Sequence, residues 1–313
     1  MSEHPDPPTR RSADFRRYLA QASLRFLGSG GLAKSSCPDL IRASLRQDGR
    51  VEPGHDASRE VRTAHAGGRM RRLDWDSEFF GVPAGRIEGL WRDPDAPAHA
   101  AWSELVPALL AAAAEQGLVF LDARIAAEEL ALAQALEMGG FRLVDALSIY
   151  LHHLRRLPKR PPQPCAIDIE GFLRDALRAM EWGRLFAEPR VPRAKAEEFY
   201  LRTSLHYLAR GAALTVVRDG TEPAGVAIGV ADEEGSRLAG ARLGQLWLFI
   251  VAPGRQGKGV GKRLFNQFCA EFSSLVDVVE IGTQIQHGAA NRIYRSAGAL
   301  PVAHALTFHR WAG

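Results

Sequence analysis

Residues 247–264 read WLFIVAPGRQGKGVGKRL and form the most informative segment of the chain. The apolar run from Trp247 to Val251 predicts a β-strand, and the residues from Gly259 onward predict a helix. Between them, glycines let backbone N–H groups point inward without obstruction by Cβ atoms, and the start of the helix adds the positive end of its dipole. The segment is therefore predicted to hold a pyrophosphate, with charge added by Arg255, Lys258 and Lys262.

The spacing of the glycines separates this turn from two other phosphate-binding motifs. A Walker loop requires GxxxxGK followed by Ser or Thr, a dinucleotide fingerprint requires GxGxxG, and neither fits Gly257, Gly259 and Gly261. Residues 256–261 resemble instead the acyl-CoA-binding signature (Gln/Arg)-x-x-Gly-x-(Gly/Ala) of the GNAT superfamily of N-acetyltransferases, in its usual place after a strand that ends in Val-x-Pro. A second superfamily motif resembles HGAANRIYRSAG at residues 287–298, where the family has Asn, then Ala three, Tyr seven and Gly eleven residues on.

The GNAT resemblance implies a fold, a cosubstrate and a set of site residues. The fold is α/β with a mixed, splayed central sheet, and the cosubstrate is acetyl-CoA, without a metal ion. The end of the strand offers backbone groups to the pantetheine arm and the thioester carbonyl, and Tyr294 is placed to protonate the departing thiolate as general acid. The cofactor-binding residues implied are Phe249, Ile250, Val251, Arg255, Gln256, Gly257, Lys258, Gly259, Val260, Gly261, Lys262, His287 and Asn291.

Two parts of the implied site stay open. His287 stands where the family has Asn. Either Asn291 takes over part of the contact to CoA, or His287 donates through its own ring N–H, or His287 is an exposed loop residue without a role. The general base is not defined by the sequence, and a water molecule is an alternative to a side chain. The side chains that qualify by type are Glu188, His206, His304 and His309.

A further resemblance covers residues 71–313 and concerns the acceptor. Segments such as WDSEFFG at 75–81, GFRLVD at 140–145 and RLFAEP at 184–189 are similar to the two-part dTDP-fucosamine (dTDP-4-amino-4,6-dideoxygalactose) N-acetyltransferases, which serve cell-surface polysaccharide synthesis. The resemblance implies an amino-sugar nucleotide as acceptor, with forked guanidinium groups matched to its diphosphate. The acceptor-binding residues implied are Arg184, Glu188, Arg190 and Arg202.

Hydrophobic patterning divides the chain into an extension and two α/β halves. Four prolines in LPKRPPQP mark the boundary between the halves, because proline cannot lie within a helix or a central strand. In the second half, residues 170–186 are predicted to be one helix and the acidic residues 232–234 a hairpin tip. The predicted divisions are a disordered extension at 1–68, a smaller half-GNAT-like domain at 69–156, a linker at 157–164 and the GNAT domain at 165–313.

Composition excludes several classes of protein. The 313 residues are 46% hydrophobic and 24% charged, which excludes collagen-like and wholly disordered chains. The net charge of +4 arises in residues 1–70, which hold 12 Lys and Arg against 8 Asp and Glu, so the neutral remainder gives no reason to expect nucleic acid as a partner. No apolar stretch is long enough for a membrane span. Three widely separated cysteines fit a reducing cytoplasm and no structural zinc.

Three functions are compatible with the motifs. The first is acetyl transfer from acetyl-CoA to a nucleotide-linked amino sugar, which the resemblance over both halves favours. The second is acetylation of a protein or of another small-molecule amine, because a fold does not fix its substrate. The third is a non-catalytic module that senses acyl-CoA. The sequence leaves a homodimer open, because edge strands of mixed sheets often pair between subunits.

Overall fold

The computed structural model describes residues 11–12, 58–154, 157–161 and 167–312. The chain folds into two compact units, and neither is continuous in sequence. Within the described chain, unit 1 comprises residues 11–12, 58–146 and 304–312, and unit 2 comprises residues from 147 to 303. Each unit therefore includes part of a strand from the other half of the sequence.

Unit 1 is a mixed sheet with helices packed on it. Its elements are β1 (Arg11–Ser12), β2 (Ser58–Arg62), β3 (Ala66–Arg72), α1 (Asp74–Phe80), β4 (Ala84–Arg92), α2 (Ala98–Glu115), β5 (Phe120–Ala126), α3 (Leu130–Met138), the start of β6 (Arg142–His153) and most of β11 (Leu300–Trp311). Strand β5 pairs parallel with β4 and antiparallel with β11. Trp102, Leu105 and Leu109 share one face of α2 at helical spacing, and all three are fully buried in the core of this unit.

Unit 2 also contains parallel and antiparallel strand pairs, with helices on both faces of the strands. Its elements are the end of β6, α4 (Ile169–Arg178), α5 (Arg193–Ala209), β7 (Ala213–Asp219), β8 (Glu222–Asp232), α6 (Glu233–Ala239), β9 (Leu243–Val251), α7 (Val260–Phe272), β10 (Val278–Gln284), α8 (Gly288–Ser296) and the start of β11. Strand β9 lies between β8 and β10, antiparallel to the first and parallel to the second. In the described chain, no helix is long and apolar enough to cross a membrane.

The two units repeat one order of elements. Unit 1 runs β2, β3, α1, β4, α2, β5, α3, and unit 2 runs β7, β8, α6, β9, α7, β10, α8. The parallel pair spans four residues in each unit, 84–87 with 120–123 and 243–246 with 278–281. An antiparallel strand of seven paired residues from the other half of the chain then completes each ladder, 305–311 beside β5 and 147–153 beside β10. This repetition indicates an internal duplication.

Three local expectations are corrected. Residues 58–68 are not a disordered extension, because β2 and the start of β3 pair antiparallel there; apart from residues 11–12, the rest of that segment lies outside the described residues. The helix expected over 170–186 ends at Arg178, where Arg193 Nη2 donates to the carbonyls of Arg178 (2.7 Å) and Met180 (2.8 Å). The acidic residues 232–234 begin helix α6, whose N-cap Asp232 accepts from the Gly235 N–H at 2.8 Å.

Candidate active site

The sheet of unit 2 opens between β9 and β10. Their parallel pairing ends at Leu246 and Ile281, although β9 continues to Val251 and β10 to Gln284. On the other edge of β9, Leu246 pairs with Gly229 and Leu248 with Ile228, so that Trp247 is an extra, bulged residue. The separation of the two strands therefore begins at a β-bulge, which confirms the expected splay.

The bulge sets which backbone groups face the opening. The Ala252 N–H donates to the Ala224 carbonyl at 2.9 Å, and hydrogen-bonded pairs alternate along an antiparallel ladder. Ile250, paired with Val226, therefore directs its N–H and carbonyl to β8. Phe249 and Val251 direct theirs to the opposite side, where β10 has departed, and their contact to a pantetheine arm stays a prediction.

The bulge also distributes the side chains of β9 between two faces. Leu246 and Phe249 pack with α7 and α8, whereas the consecutive residues Trp247 and Leu248 both pack with α4 and α5. Two neighbouring side chains on one face are possible only because the regular alternation of the strand is interrupted. The Trp247 side chain therefore lies on the face of β9 that packs against α4 and α5, next to the opening.

Helix α7 begins directly after β9 at the glycine-rich turn. Its N-cap is Gly259, with φ 77° and no side-chain cap, and the first turn contains no acidic residue. The first N–H groups of a helix have no partner within the helix, and here no side chain caps them. The dipole of a 13-residue helix adds positive potential at these groups, and the pyrophosphate site stays a prediction.

Two of the basic residues of the turn interact with other groups of the protein, which the sequence did not predict. Arg255 forms an ion pair with Asp219 in the hairpin between β7 and β8, and Lys258 Nζ donates to the Gly254 carbonyl at 2.9 Å. Gln256, Gly257 and Lys262 are exposed. Any charge that Arg255 and Lys258 supply to a pyrophosphate therefore requires them to leave these partners.

Val260 and Gly261 have packing roles at the start of α7. Val260 is buried in the core, and a Cβ atom added at Gly261 would lie 2.8 Å from Ile293 Cδ1 of α8. The absence of a side chain at 261 therefore allows α8 to approach α7. This approach brings Tyr294, the next residue of α8, toward the opening.

Tyr294 lies at the centre of an aromatic cluster. Its ring centroid is 5.0 Å from that of Phe265 and 5.9 Å from those of Phe249 and Tyr150, and the residue is 3% exposed. Burial raises the pKa of the Tyr294 phenol, with smaller contributions from Cys269 and Tyr150, so the hydroxyl keeps its proton at neutral pH. Within the described residues, this hydroxyl forms no hydrogen bond. The hydroxyl is therefore able to donate to a ligand atom.

The other two predicted site residues of the second motif, Asn291 and His287, both contact other residues of unit 2. Asn291 Nδ2 donates to the carbonyls of Gln284 and His287, each at 2.9 Å, and Oδ1 accepts from the Tyr150 hydroxyl at 2.6 Å. Asn291 therefore secures the turn before α8, and its contact to CoA stays a prediction. His287 is half-buried and stacks on Trp182 with centroids 5.4 Å apart, which removes the alternative of an exposed loop residue. Burial lowers the pKa of the His287 imidazole, so it is neutral at pH 7.

The predicted acceptor residues fall into two groups. Arg184 and Glu188, 8% and 6% exposed, lie in the segment between α4 and α5; the Arg184 guanidinium sits 5.8 Å from the Phe199 ring centroid, and Glu188 Oε1 accepts from the Arg190 N–H. Arg190 is exposed, and Arg202 lies on the outer face of α5 in an ion pair with Glu198. The structure thus places only Arg184 and Glu188 in a buried setting.

The general base remains undefined. Glu188 is the only buried candidate in unit 2, because His206 is exposed near the end of α5. His304 and His309 belong to unit 1, where His309 packs edge-on against Phe120 with centroids 4.9 Å apart. Among the described residues, no group of three His, Cys, Asp or Glu side chains is arranged to hold a metal ion.

Comparison with known families supports this geometry. The sequence model of the acetyltransferase (GNAT) family matches residues 175–299, a range that contains the glycine-rich turn, the opening and Tyr294. Residues 175–299 are therefore similar to the GNAT acetyltransferase family. The matched family model and the fold indicate an acyltransferase, and an acyl-CoA and an amine are the substrates that such a fold takes. No curated protein matches the chain.

Solved structures share the fold over nearly the whole chain. A GCN5-related N-acetyltransferase from Kribbella flavida is 16% identical, with a TM-score of 0.51 over 96% of this chain and 97% of that one. One from Sphaerobacter thermophilus is 15% identical, with a TM-score of 0.52 over 97% and 96%. A fungal multi-domain β-N-acetylglucosaminidase, described as containing a glucosamine N-acetyltransferase region, is 14% identical, with a TM-score of 0.52 over 99% of this chain and 39% of that one. At these identities the likeness shows the GNAT fold.

Unit 1 repeats the fold without these site residues. Tyr294 is the seventh residue of the nine-residue helix α8, and the seventh residue of the nine-residue helix α3 is Leu136. The connection from β4 to α2 reads DPDAP at residues 93–97, with two acidic residues and no glycine where unit 2 has its glycine-rich turn. A pyrophosphate would meet negative charge there. In the described chain, the site geometry therefore belongs to unit 2.

Sequence reasoning missed Trp182. It lies between α4 and α5, in a stretch expected to be helical, and its partner His287 is more than a hundred residues away. The tryptophan beside Gly183 is the one signal in the sequence that favours an exposed aromatic turn over a helix.

Proposed function

We propose that the protein is a cytoplasmic N-acetyltransferase that moves the acetyl group of acetyl-CoA to the amine of a nucleotide-linked amino sugar. The observation that carries the proposal is Tyr294, whose ring is buried in the aromatic cluster and whose hydroxyl keeps its proton and forms no hydrogen bond within the described chain. The Tyr294 ring contacts Phe249 of the opened strand β9 and Phe265 of α7. An acyl-CoA bound along this path places its sulfur where a proton donor is needed.

Each step of the transfer except removal of the amine proton has a candidate group among the described residues. The N–H groups at the start of α7 hold the pyrophosphate, and the backbone of Phe249 and Val251 pairs with the pantetheine arm as an added strand would. The amine nitrogen attacks the thioester carbonyl carbon, whose developing negative charge is stabilised by preorganised backbone donors. The carbon–sulfur bond then breaks, the acetyl group stays on nitrogen as an amide, and the amine proton leaves to water or a base. The sulfur takes its proton from Tyr294, which solvent reprotonates.

The acceptor side is proposed to be the face formed by α4, α5 and the segment between them. Trp247 supplies an aromatic floor there, and the Trp182 and His287 stack presents flat rings of the kind that pack against a sugar or a base. Arg184 and Arg190 are suited to a diphosphate, and Glu188 to a cationic amine. An amino sugar is also the acceptor named for the fungal neighbour, a likeness that by itself supports the fold alone.

The proposal is tested by acetyl-CoA-dependent thiol release. Purified protein is assayed with dTDP- and UDP-linked amino sugars, with peptides bearing free amines and with small amines. Turnover on a sugar nucleotide that falls at least about 100-fold in Tyr294→Phe, with acetyl-CoA affinity retained, supports the proposal. Faster turnover of peptides or of simple amines rejects the sugar acceptor and leaves acyl transfer in place. Tight CoA binding with no turnover of any amine rejects catalysis in favour of a sensing module.

A further inference from the structure

Tyr150 is a buried tyrosine that the GNAT motifs do not include. It lies on β6, in the part that pairs antiparallel with β10, and it is 0% exposed. Its neighbour across the ladder is Ile281, the last residue of β10 that also pairs with β9. Tyr150 is thus supplied by the first half of the sequence to the point where the sheet of unit 2 opens.

The Tyr150 hydroxyl makes two hydrogen bonds to α8. It donates to Asn291 Oδ1 at 2.6 Å and accepts from Arg295 Nε at 3.1 Å. Asn291 and Arg295 are one helical turn apart, and Tyr294 lies between them in sequence. A single hydroxyl therefore holds both the start and the end of the turn that carries Tyr294, and it fixes the rotation of α8 about its axis.

The Asn291 amide extends this contact to the turn before α8. With Oδ1 held by Tyr150, the two Nδ2 hydrogens point at the carbonyls of Gln284 and His287. The amide then has a partner for every one of its strong hydrogen-bonding groups, and satisfied buried networks of this kind are rigid. Through Asn291, the Tyr150 hydroxyl thus fixes the position of the turn that carries His287. The hydrogen bond from Arg295 to Tyr150 fixes the position of Tyr294.

We infer that Tyr150 is a positioning residue for acyl transfer, which orients the Tyr294 hydroxyl through α8. This inference rests on the proposed function. Tyr150 touches no reacting atom, because its hydroxyl is fully used by Asn291 and Arg295. Phenylalanine at 150 keeps the ring contact with Tyr294 at 5.9 Å and removes only the two hydrogen bonds. The hydroxyl, rather than the ring, is what this role requires.

The test compares Tyr150→Phe with Tyr294→Phe and the double variant. Tyr150→Phe is expected to lower kcat about tenfold while the KM for acetyl-CoA changes less than about twofold, because the bonds lost orient the acid and do not bind the nucleotide. In the Tyr294→Phe background, the same substitution is expected to have little further effect, since it acts through Tyr294. If the fold-decrease in kcat of the double variant instead equals the product of the two single decreases, the effect of Tyr150→Phe is a general structural one and the inference is overturned.

Amide hydrogen exchange provides a readout that does not depend on turnover. Peptides covering 284–296 are expected to exchange faster in Tyr150→Phe than in wild type, because the turn and α8 lose their anchor. Unchanged exchange there, or unchanged kcat, overturns the inference. Failure of the wild-type protein to acetylate any amine would reject the proposed function, while the exchange result would still decide whether Tyr150 positions α8.

Two further variants guard against misfolding. Thr215→Val is the matched control: it removes another buried hydroxyl of unit 2, one that donates to Glu271 Oε2 at 2.6 Å, and is expected to lower stability without changing kcat or exchange at 284–296. If Tyr150→Phe does not fold, Arg295→Met removes the second bond from an exposed position and is expected to lower kcat about threefold. Wild-type kcat in Arg295→Met together with a loss in Thr215→Val would overturn the inference.

Discussion

Substitution of Gly259 tests the pyrophosphate site in isolation. At φ 77° the N-cap of α7 is in the left-handed region, where a Cβ atom costs about 1–2 kcal/mol, yet nothing lies within 4 Å of the position that the atom would take. Gly259→Ala is therefore expected to fold with a modest loss of stability. The strain is relieved by rotating the peptide, which turns N–H groups of the helix start away from the ligand. Each such hydrogen bond to an anion is worth about 1.5–3 kcal/mol.

The expected consequence is a Kd for acetyl-CoA that rises about 10-fold to 100-fold. Gly117→Ala is the matched control, because Gly117 also has a positive φ of 65°, also has nothing within 4 Å, and lies at the end of α2 in unit 1. Isothermal titration calorimetry measures the affinity and thermal unfolding the stability of both variants. If Gly259→Ala loses as much stability as Gly117→Ala but keeps wild-type affinity, the start of α7 does not hold the pyrophosphate.

Two further predictions concern stoichiometry and pH. Because unit 1 has an acidic connection where unit 2 has its glycine-rich turn, titration is expected to give one acetyl-CoA per chain, and two equivalent sites would contradict the assignment to unit 2. Burial lowers the pKa values of His152 and His287 from 6.5 in the folded state, so the unfolded chain binds more protons as the pH falls below 6.5. The free energy of unfolding is therefore expected to drop between about pH 7.5 and about pH 5.5 in urea titrations, and to drop less in His287→Asn; an equal drop in that variant would refute a contribution from His287.

The motifs predicted the local part of the site. The run after Trp247 fixed a strand, a turn and a helix in that order, because the strand, the glycines and the helix start are encoded within 18 consecutive residues. The mixed, splayed sheet is confirmed by the pairing of β9 and β10 and by the comparisons. Tyr294 was predicted through the spacing of the second motif; the structure places the residue in a buried aromatic cluster, and its role as general acid stays a prediction.

The non-local part of the site could not be predicted in this way. The pairing of β6 with β10 is not encoded in either strand alone, so Tyr150 was not connected with Asn291. The bulge at Trp247 depends on the register between β8 and β9, which a single strand does not reveal. The acidic residues 232–234 were assigned to a solvated turn, although Asp232 followed by Glu residues is also the pattern of an N-cap and a favourable first turn.

The most direct test of the central claim is the rate of CoA thiol release at saturating acetyl-CoA, compared between the wild type and Tyr294→Phe on the best acceptor of the amine panel. The account predicts a wild-type rate that depends on the amine and a loss of at least about 100-fold in the variant, with an unchanged Kd for acetyl-CoA. A Tyr294→Phe enzyme with full turnover would contradict the account, because the hydroxyl enclosed beside the opened strand would then have no part in the reaction.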